Sequence, residues 1–228
     1  MDAGSLANGL PSPPAPAVPP RKAPMPRQVR VLDGSDLPEI TRIHMVAFPG
    51  SLLTALGADA VRRLYDWQLR GPHEVVALGV VIGGQVAGFC FGGIFRGAVS
   101  GFVRTNRWFL GRRMLARPGL LLRRDTRVWL MRLLRSGQSL RAPAPATAVR
   151  SFGILAIAVD PTFQGSGIGR LLLEELEQLA RRAGFAGLHL TVHPDNEPAV
   201  RLYERAGWRR VPGASGWAGT MAKDLGNA

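Results

Sequence analysis

The feature that most limits how this chain can fold is a glycine-rich turn between an apolar strand and a helix. It lies in VDPTFQGSGIGRLLLEEL, which begins at Val159. The apolar run Ile154–Val159 is short enough for a buried strand. Three glycines then let the backbone approach a ligand closely. The unpaired N–H groups and the positive dipole end of the following helix attract an anion. The turn therefore predicts a phosphate-binding site.

Two other phosphate-binding folds also use glycine-rich turns, and neither fits this one. A P-loop ends in Gly-Lys-Ser/Thr, whereas this turn ends in Gly169-Arg170-Leu171. A dinucleotide-binding fold places the turn after an early strand and an acid about 20 positions later. Here the turn follows the predicted fourth or fifth strand, and 188–190 contains no acid. For the turn taken alone, a second interpretation stays open, in which the turn is purely structural and binds no ligand.

Strands and helices alternate along the rest of the chain. We predict further strands at 28–32, within 75–95, and at 188–192, 209–212 and 217–222. Predicted helices cover 36–47, 58–69, 171–184 and 196–206. The first of these helices would begin at a capping box formed by Asp36 and Glu39. Such interleaving predicts a layered domain of the α/β or α+β class.

Two segments need separate interpretations. Residues 1–27 contain eight Pro and almost no large apolar side chains, so we expect a disordered tail before a domain over 28–228. Residues 75–95 run for 21 positions without a charge, which is long enough for a membrane span. The Gly83-Gly84-Gln85 turn divides this run and favours a buried β-hairpin.

Two motifs together resemble the GNAT superfamily of acetyltransferases. Gln164–Gly169 is similar to its Gln/Arg-x-x-Gly-x-Gly/Ala pyrophosphate loop. The segments His193–Ala199 and Leu202–Trp208 resemble the strand-to-helix signature that follows about 30 residues later. The resemblance is close over 152–210 and looser over 28–95. It implies a mixed central sheet of about six to seven strands, flanked by helices, and an N-acetyltransferase that uses acetyl-CoA and no metal.

The resemblance also implies a role for each matching residue. Ile157, Ala158 and Val159 would offer backbone groups to the pantetheine arm, beside a slot left by a diverging strand. Asn196 would bind the same arm, and Tyr203 would act on the leaving sulfur. The remaining residues would surround the pyrophosphate, most of them through backbone amides. They are Gln164, Gly165, Ser166, Gly167, Ile168, Gly169 and Arg170.

The same residues have simpler interpretations that stay open. Tyr203 is of a type that often lies in the core with its hydroxyl at the edge, and Asn196 can cap a helix. No carboxylate lies in 154–159, so we assign no general base. By residue type alone, Glu39, His44, His189 and His193 are candidates.

Cys90 is the only cysteine, which excludes an intramolecular disulfide and a Cys-rich metal site. We expect it to be a small buried residue. A single cysteine and the lack of a recognisable signal sequence predict a cytoplasmic protein.

The charge is concentrated in one insertion. Residues 96–150 hold thirteen Arg and one acid, Asp125, and so carry nearly all of the net charge of +13. Two helices broken at Pro118 are predicted here. The interpretation that these helices favour most is a lid over the acceptor site. The second is a surface that binds an anionic membrane, which would make the protein a peripheral membrane protein. Binding to nucleic acid is the least favoured.

Two classes of function remain at this stage. One is an enzyme that acetylates an amine, either a small molecule or a peptide. The other is a module that binds acyl-CoA without turnover or that works through the Arg-rich helices. Tyr203 and Asn196 beside an intact loop favour the enzyme. The oligomeric state is not predicted.

Overall fold

One mixed sheet organises the protein. The structure is a computed structural model that describes residues 26–95, 98–117, 119–122, 152–213 and 216–226. The described strands are β1 (Arg27–Val31), β2 (Glu74–Ile82), β3 (Gln85–Ile94), β4 (Phe152–Val159), β5 (Gly187–Thr191), β6 (Arg209–Arg210) and β7 (Thr220–Asp224). They form a seven-stranded sheet in the order β1-β2-β3-β4-β5-β7-β6. Neighbouring strands are antiparallel except for β4 and β5, which are parallel. This confirms the predicted sheet.

Helices cover both faces of the sheet. They are α1 (Leu37–Ala47), α2 (Leu52–Leu56), α3 (Ala58–Arg70), α4 (Ala98–Thr105), α5 (Arg107–Leu115), α6 (Gly119–Leu122), α7 (Ile168–Arg182) and α8 (Glu197–Arg205). Neighbouring strand residues point to opposite faces. Phe89 therefore packs with α1 and α3, whereas Cys90 packs with α7. A Cβ on Gly92 would lie 2.7 Å from Leu176 of α7, so this helix approaches β3 closely.

The uncharged run at 75–95 is a β-hairpin, as predicted. β2 and β3 pair from Glu74–Ile94 to Ile82–Gln85. The turn between them uses Gly83 and Gly84, which have φ of 58° and 82°. Within the described ranges, no helix has the length and apolar character that crossing a membrane requires.

The predicted capping box at Asp36 and Glu39 was wrong by one turn. The observed box joins Asp33, which accepts from Ser35 N at 2.8 Å, with Asp36, which accepts from Asp33 N at 3.0 Å. Asp36 is buried and also binds the Arg30 guanidinium. Its side chain is therefore turned back toward β1 and leaves the N-cap of α1 without a side-chain hydrogen bond.

The insertion begins with short helices packed on α2 and α3. Phe102 and Leu110 lie in a cluster with Leu56 and Ala60. The first predicted helix is divided at Asn106, whose side-chain amide donates to the Phe102 carbonyl at 3.1 Å. A second helix does begin after Pro118, but most of its predicted length lies outside the described residues, as does the predicted tail up to residue 25.

Some strand ends differ from the predictions. β1 begins at Arg27, inside the predicted tail, and β6 covers only two residues. β7 begins and ends later than the predicted strand at 217–222.

Candidate active site

Two neighbouring parallel strands separate at the centre of the sheet. β4 pairs with β5 only through Phe152–Leu188, Gly153–His189 and Ile154–Leu190. Beyond these pairs β4 continues to Val159 and is paired on the β3 side alone. Alternate N–H and C=O groups along this free edge therefore face a gap. Ile157, Ala158 and Val159, the residues predicted to meet the pantetheine arm, lie on this edge.

A β-bulge marks the point of separation. Ile154 lies opposite Gly92 and Ala156 lies opposite Phe91, so Leu155 has no partner on β3. An extra residue of this kind bends its strand and increases the local twist, which turns the end of β4 away from β5.

The glycine-rich loop adopts a backbone that favours glycine. Gly165 and Gly167 have φ of 76° and 86°, in the left-handed region. A Cβ on Gly165 would meet nothing within 4 Å, so the loop is open there. Gly167 is the N-cap of α7, and its carbonyl accepts from Leu171 N at 3.0 Å. The amides of 168–170 precede that bond and have no acceptor within the helix.

Side chains of the loop residues hold its shape. Gln164 Nε2 donates to the Val159 carbonyl at 3.3 Å, and Ser166 Oγ donates to the Phe163 carbonyl at 2.5 Å. Ile168 is buried in the core. The loop therefore presents mainly backbone to a ligand.

Two arginines flank the loop, and only one of them was predicted. Arg27 Nη1 donates to the Ser166 carbonyl at 2.8 Å and lies 4.0 Å from a Cβ built on Gly167. Arg27 begins β1, which is an edge strand separated from β4 by β2 and β3, and its side chain reaches this loop. The predicted Arg170 is exposed and pairs with Glu174 at 2.7 Å.

A buried carboxylate joins the end of β4 to both the loop and α1. Asp160 accepts from the Thr162 hydroxyl at 2.6 Å and from Arg42 Nη1 at 2.5 Å. The Thr162 hydrogen bond, with that of Arg42, lowers the pKa of Asp160 to about 2 in spite of its desolvation. This carboxylate is therefore a charged structural anchor at neutral pH.

Asn196 and Tyr203 lie at the two ends of α8. Asn196 is the N-cap, and its Oδ1 accepts from Ala199 N at 3.3 Å. Its side-chain NH2 group is not used by that cap. Gly169 brings α7 close to this helix, because a Cβ there would lie 3.3 Å from Leu202.

Tyr203 is buried, with 5% of its surface exposed. Its ring centroid lies 5.8 Å from that of Trp208, whose Nε1 donates to Glu177 at 3.0 Å. The Tyr203 hydroxyl makes no hydrogen bond with any residue of the described ranges. Desolvation by burial raises the pKa of Tyr203. The hydroxyl is therefore a protonated donor at neutral pH.

Comparison with known proteins identifies the family. The model of the acetyltransferase (GNAT) family matches residues 37–208. The chain belongs to the GNAT family. GNAT acetyltransferases use acetyl-CoA.

Curated relatives match a short part of this GNAT chain. N-alpha-acetyltransferase RimI from Mycobacterium tuberculosis is 43% identical over 60 residues, which are 26% of this chain and 36% of that protein. The [ribosomal protein bS18]-alanine N-acetyltransferase of Escherichia coli is 46% identical over 55 residues, 24% of this chain and 37% of its own length. A mycothiol acetyltransferase from Nocardiopsis dassonvillei is 52% identical over 56 residues, which are 24% of this chain and 17% of that protein. The matched segments thus span well under half of each relative.

Solved structures share the GNAT fold over a longer span. The ribosomal-protein-S18-alanine N-acetyltransferase of Escherichia coli has a TM-score of 0.53 and 20% identity, covering 89% of this chain and 96% of that one. PaiA N-acetyltransferase from Thermoplasma acidophilum, solved in complex with coenzyme A, has a TM-score of 0.54 and 14% identity, covering 88% and 99%.

Three of the four candidate bases have structural partners in the GNAT domain. Glu39 accepts from Arg42 at 2.9 Å. His44 Nδ1 lies 2.8 Å from the Tyr65 hydroxyl, and burial lowers the His44 pKa to about 4. His189 lies in the paired part of β5, opposite Gly153.

His193 follows β5 and is exposed, with its Nδ1 3.6 Å from Asp195 Oδ2. None of the four contacts singles out a general base, and we assign none.

Cys90 is buried, as expected, and burial raises the pKa of its thiol. Among the described residues, no three His, Cys, Asp or Glu side chains come together as a metal site would require.

Proposed function

We propose that this chain transfers the acetyl group of acetyl-CoA to an amine by direct attack. The observation that carries the proposal is the gap between β4 and β5. It is followed in the chain by a glycine-rich loop and by the amides of 168–170, which have no acceptor within α7. A thioester on a linear arm that leads to a diphosphate, as in acetyl-CoA, matches this order of features. Its arm would extend along the edge at 157–159 and its diphosphate would meet the amides of 165–170.

The chemistry needs little from side chains. A neutral amine attacks the thioester carbon, and a C–N bond forms as negative charge builds on the carbonyl oxygen. A backbone amide near Ile157 stabilises that charge. The C–S bond then breaks, and the Tyr203 hydroxyl protonates the leaving thiolate. The tyrosinate recovers a proton from the acetylated nitrogen through solvent, so the enzyme is unchanged.

Asn196 supports this arrangement from the other side of the gap. Its Oδ1 caps α8, and its NH2 group donates to an amide oxygen of the pantetheine arm. The one side chain thus fixes the helix that carries Tyr203 and positions the substrate.

The acceptor is proposed as a primary amine on a peptide or a small molecule. A peptide N-terminus that begins with alanine is the first candidate, because one relative is named for acetylation of the alanine of bS18. A small-molecule amine is the second, since other relatives are named mycothiol acetyltransferases.

Turnover separates an enzyme from a binding module. Acetyl-CoA affinity is measured by calorimetry, and thiol release is followed with a panel of peptides and small amines. Product mass is then checked for one added acetyl group. Saturable thiol release that depends on an amine is the expected result. Tight binding of acetyl-CoA without acetylation of any amine would leave the acyl-CoA-binding module as the function.

A cytoplasmic location is part of the proposal. The buried thiol of Cys90 and the use of acetyl-CoA both suit a reducing, metabolically active compartment. Cell fractionation tests it, and recovery with secreted proteins would contradict it.

A further inference from the structure

Helix α5 presents two large apolar side chains to solvent. Trp108 is 78% exposed and Leu115 is 83% exposed, the highest values among the large apolar side chains in the described ranges. They are seven residues apart and so share one face of the helix, about 10 Å apart along its axis. Gly111 and Arg112 lie between them on that face and are also exposed.

The same surface is strongly cationic. α4 and α5 together contain four arginines and no acid. Arg104, Arg107 and Arg112 are exposed, and the Arg107 guanidinium lies 5.6 Å from the centroid of the Trp108 ring. We call the exposed surface formed by Arg107, Trp108, Arg112 and Leu115 the α5 face.

The opposite side of α5 is firmly held. Leu110 packs in the cluster that includes Leu56 of α2 and Ala60 of α3. Arg113 pairs with Asp59, and its guanidinium also lies over the Phe109 ring. The inward side of α5 is therefore held by apolar packing of Leu110 and by the ion pair of Arg113. Trp108 and Leu115 are therefore left outside by the packing of the helix itself.

We propose that the α5 face docks reversibly on the surface of an anionic lipid membrane. Arginines with tryptophan suit the headgroup region, and a leucine on the same face enters the acyl boundary. A nucleic acid would bind the arginines through its phosphates and stack a base on the tryptophan ring, but it has no apolar surface for Leu115 to contact. A second copy placed symmetrically on this face would bring arginine against arginine. The proposal concerns a different surface from the β4–β5 gap and does not depend on acetyl transfer.

The test is flotation of the full chain with vesicles. One set is phosphatidylcholine alone, and the other also contains phosphatidylglycerol. We expect binding to the second set only, weakened by salt. Arg107→Gln with Arg112→Gln should reduce affinity about 25-fold, at about fivefold for each arginine. Trp108→Ser with Leu115→Ser should reduce it about tenfold.

Two control pairs carry the same changes elsewhere. Arg205→Gln with Arg209→Gln removes two exposed charges, and Val46→Ser with Val211→Ser removes two exposed apolar side chains. Both pairs should bind vesicles as the unaltered chain does. Thermal unfolding of every variant checks that the fold is retained.

Three results would overturn the proposal. The first is the absence of binding to anionic vesicles. The second is equal loss of binding in the α5 pairs and the control pairs. The third is displacement of the vesicles by a duplex oligonucleotide whose binding requires the two arginines but not Trp108 and Leu115. That result would assign the α5 face to nucleic acid.

Discussion

The two tyrosines of the chain lie on opposite faces of the sheet, and both are buried. Tyr65 of α3 has its hydroxyl 2.8 Å from His44 Nδ1. The Tyr203 hydroxyl of α8 has no such partner among the described residues. Desolvation by burial is the main cause that raises the pKa of each. Burial and a shifted pKa therefore do not distinguish the two tyrosines, whereas the hydrogen-bond partner of the hydroxyl does.

The largest expected effect comes from Tyr203→Phe. Loss of a proton donor to the leaving thiolate should lower kcat about a hundredfold. The KM for acetyl-CoA should hardly change, because the ring and its contact with Trp208 remain. Steady-state kinetics with the best amine of the panel measure both constants. An unchanged kcat with a lower stability would show that Tyr203 serves only the core.

Tyr65→Phe is the matched change on the other face, and it should affect the fold instead. It leaves Nδ1 of the buried His44 imidazole without its hydrogen bond, at a cost of about 2 kcal/mol in the free energy of unfolding. The kcat should be retained at a temperature where the variant is folded. Urea denaturation with a kinetic assay checks both. A Tyr65→Phe enzyme as impaired as Tyr203→Phe would remove the distinction between the two faces.

His44 should make stability depend on pH. Its pKa is about 4 in the folded protein and about 6.5 when unfolded. Between these values the unfolded chain binds a proton that the native one does not, so stability falls as the pH drops below about 6.5. We expect a loss of about 2 kcal/mol between pH 7 and pH 5.

Denaturation of His44→Gln across the same pH range is the control, and its slope should be flatter. Asp160, with a pKa of about 2, loses its stabilising charge only at lower pH and does not contribute to this window. A wild-type slope in His44→Gln would assign the pH effect to another group.

Local features of the site could be predicted from the sequence, and contacts between distant residues could not. The turn at 164–169 and the cap at Asn196 depend on residues within a few positions of each other. The capping box was placed wrongly because Asp33–Asp36 and Asp36–Glu39 have equal spacing. Arg30 of β1 distinguishes them, because its guanidinium binds Asp36 and turns that side chain away from α1.

The gap and Arg27 needed the strand order. Nothing within Ile154–Val159 signals a bulge, because the run has no Gly or Pro to suggest one. Arg27 looked like part of a tail. Only the antiparallel order of β1 to β4 brings the first residue of β1 to the same end of the sheet as the last residue of β4.

The two ends of α7 offer the next comparison, through two glycines with nearly equal backbones. Gly165 has φ of 76° and Gly184 has φ of 75°, and a Cβ at either meets nothing within 4 Å. Alanine at each should cost about 1 kcal/mol of stability through the same strain. Gly165→Ala should also weaken acetyl-CoA binding about tenfold, because the new methyl group occupies the path of the diphosphate. Calorimetry on both variants decides. Equal affinities would mean that the ligand does not approach the loop at Gly165.

The smallest expected effect distinguishes two arginines of β1. Arg27 donates to the loop carbonyl of Ser166, whereas Arg30 donates to Asp36. Arg27→Gln should raise the KM for acetyl-CoA about threefold with kcat unchanged, because an exposed charge near a phosphate contributes little more than this. Arg30→Gln should leave that KM alone and instead lower the free energy of unfolding by about 1 kcal/mol. A higher KM in both variants would show that the net charge of the strand matters. An unchanged KM in both would mean that Arg27 only holds β1 against the loop.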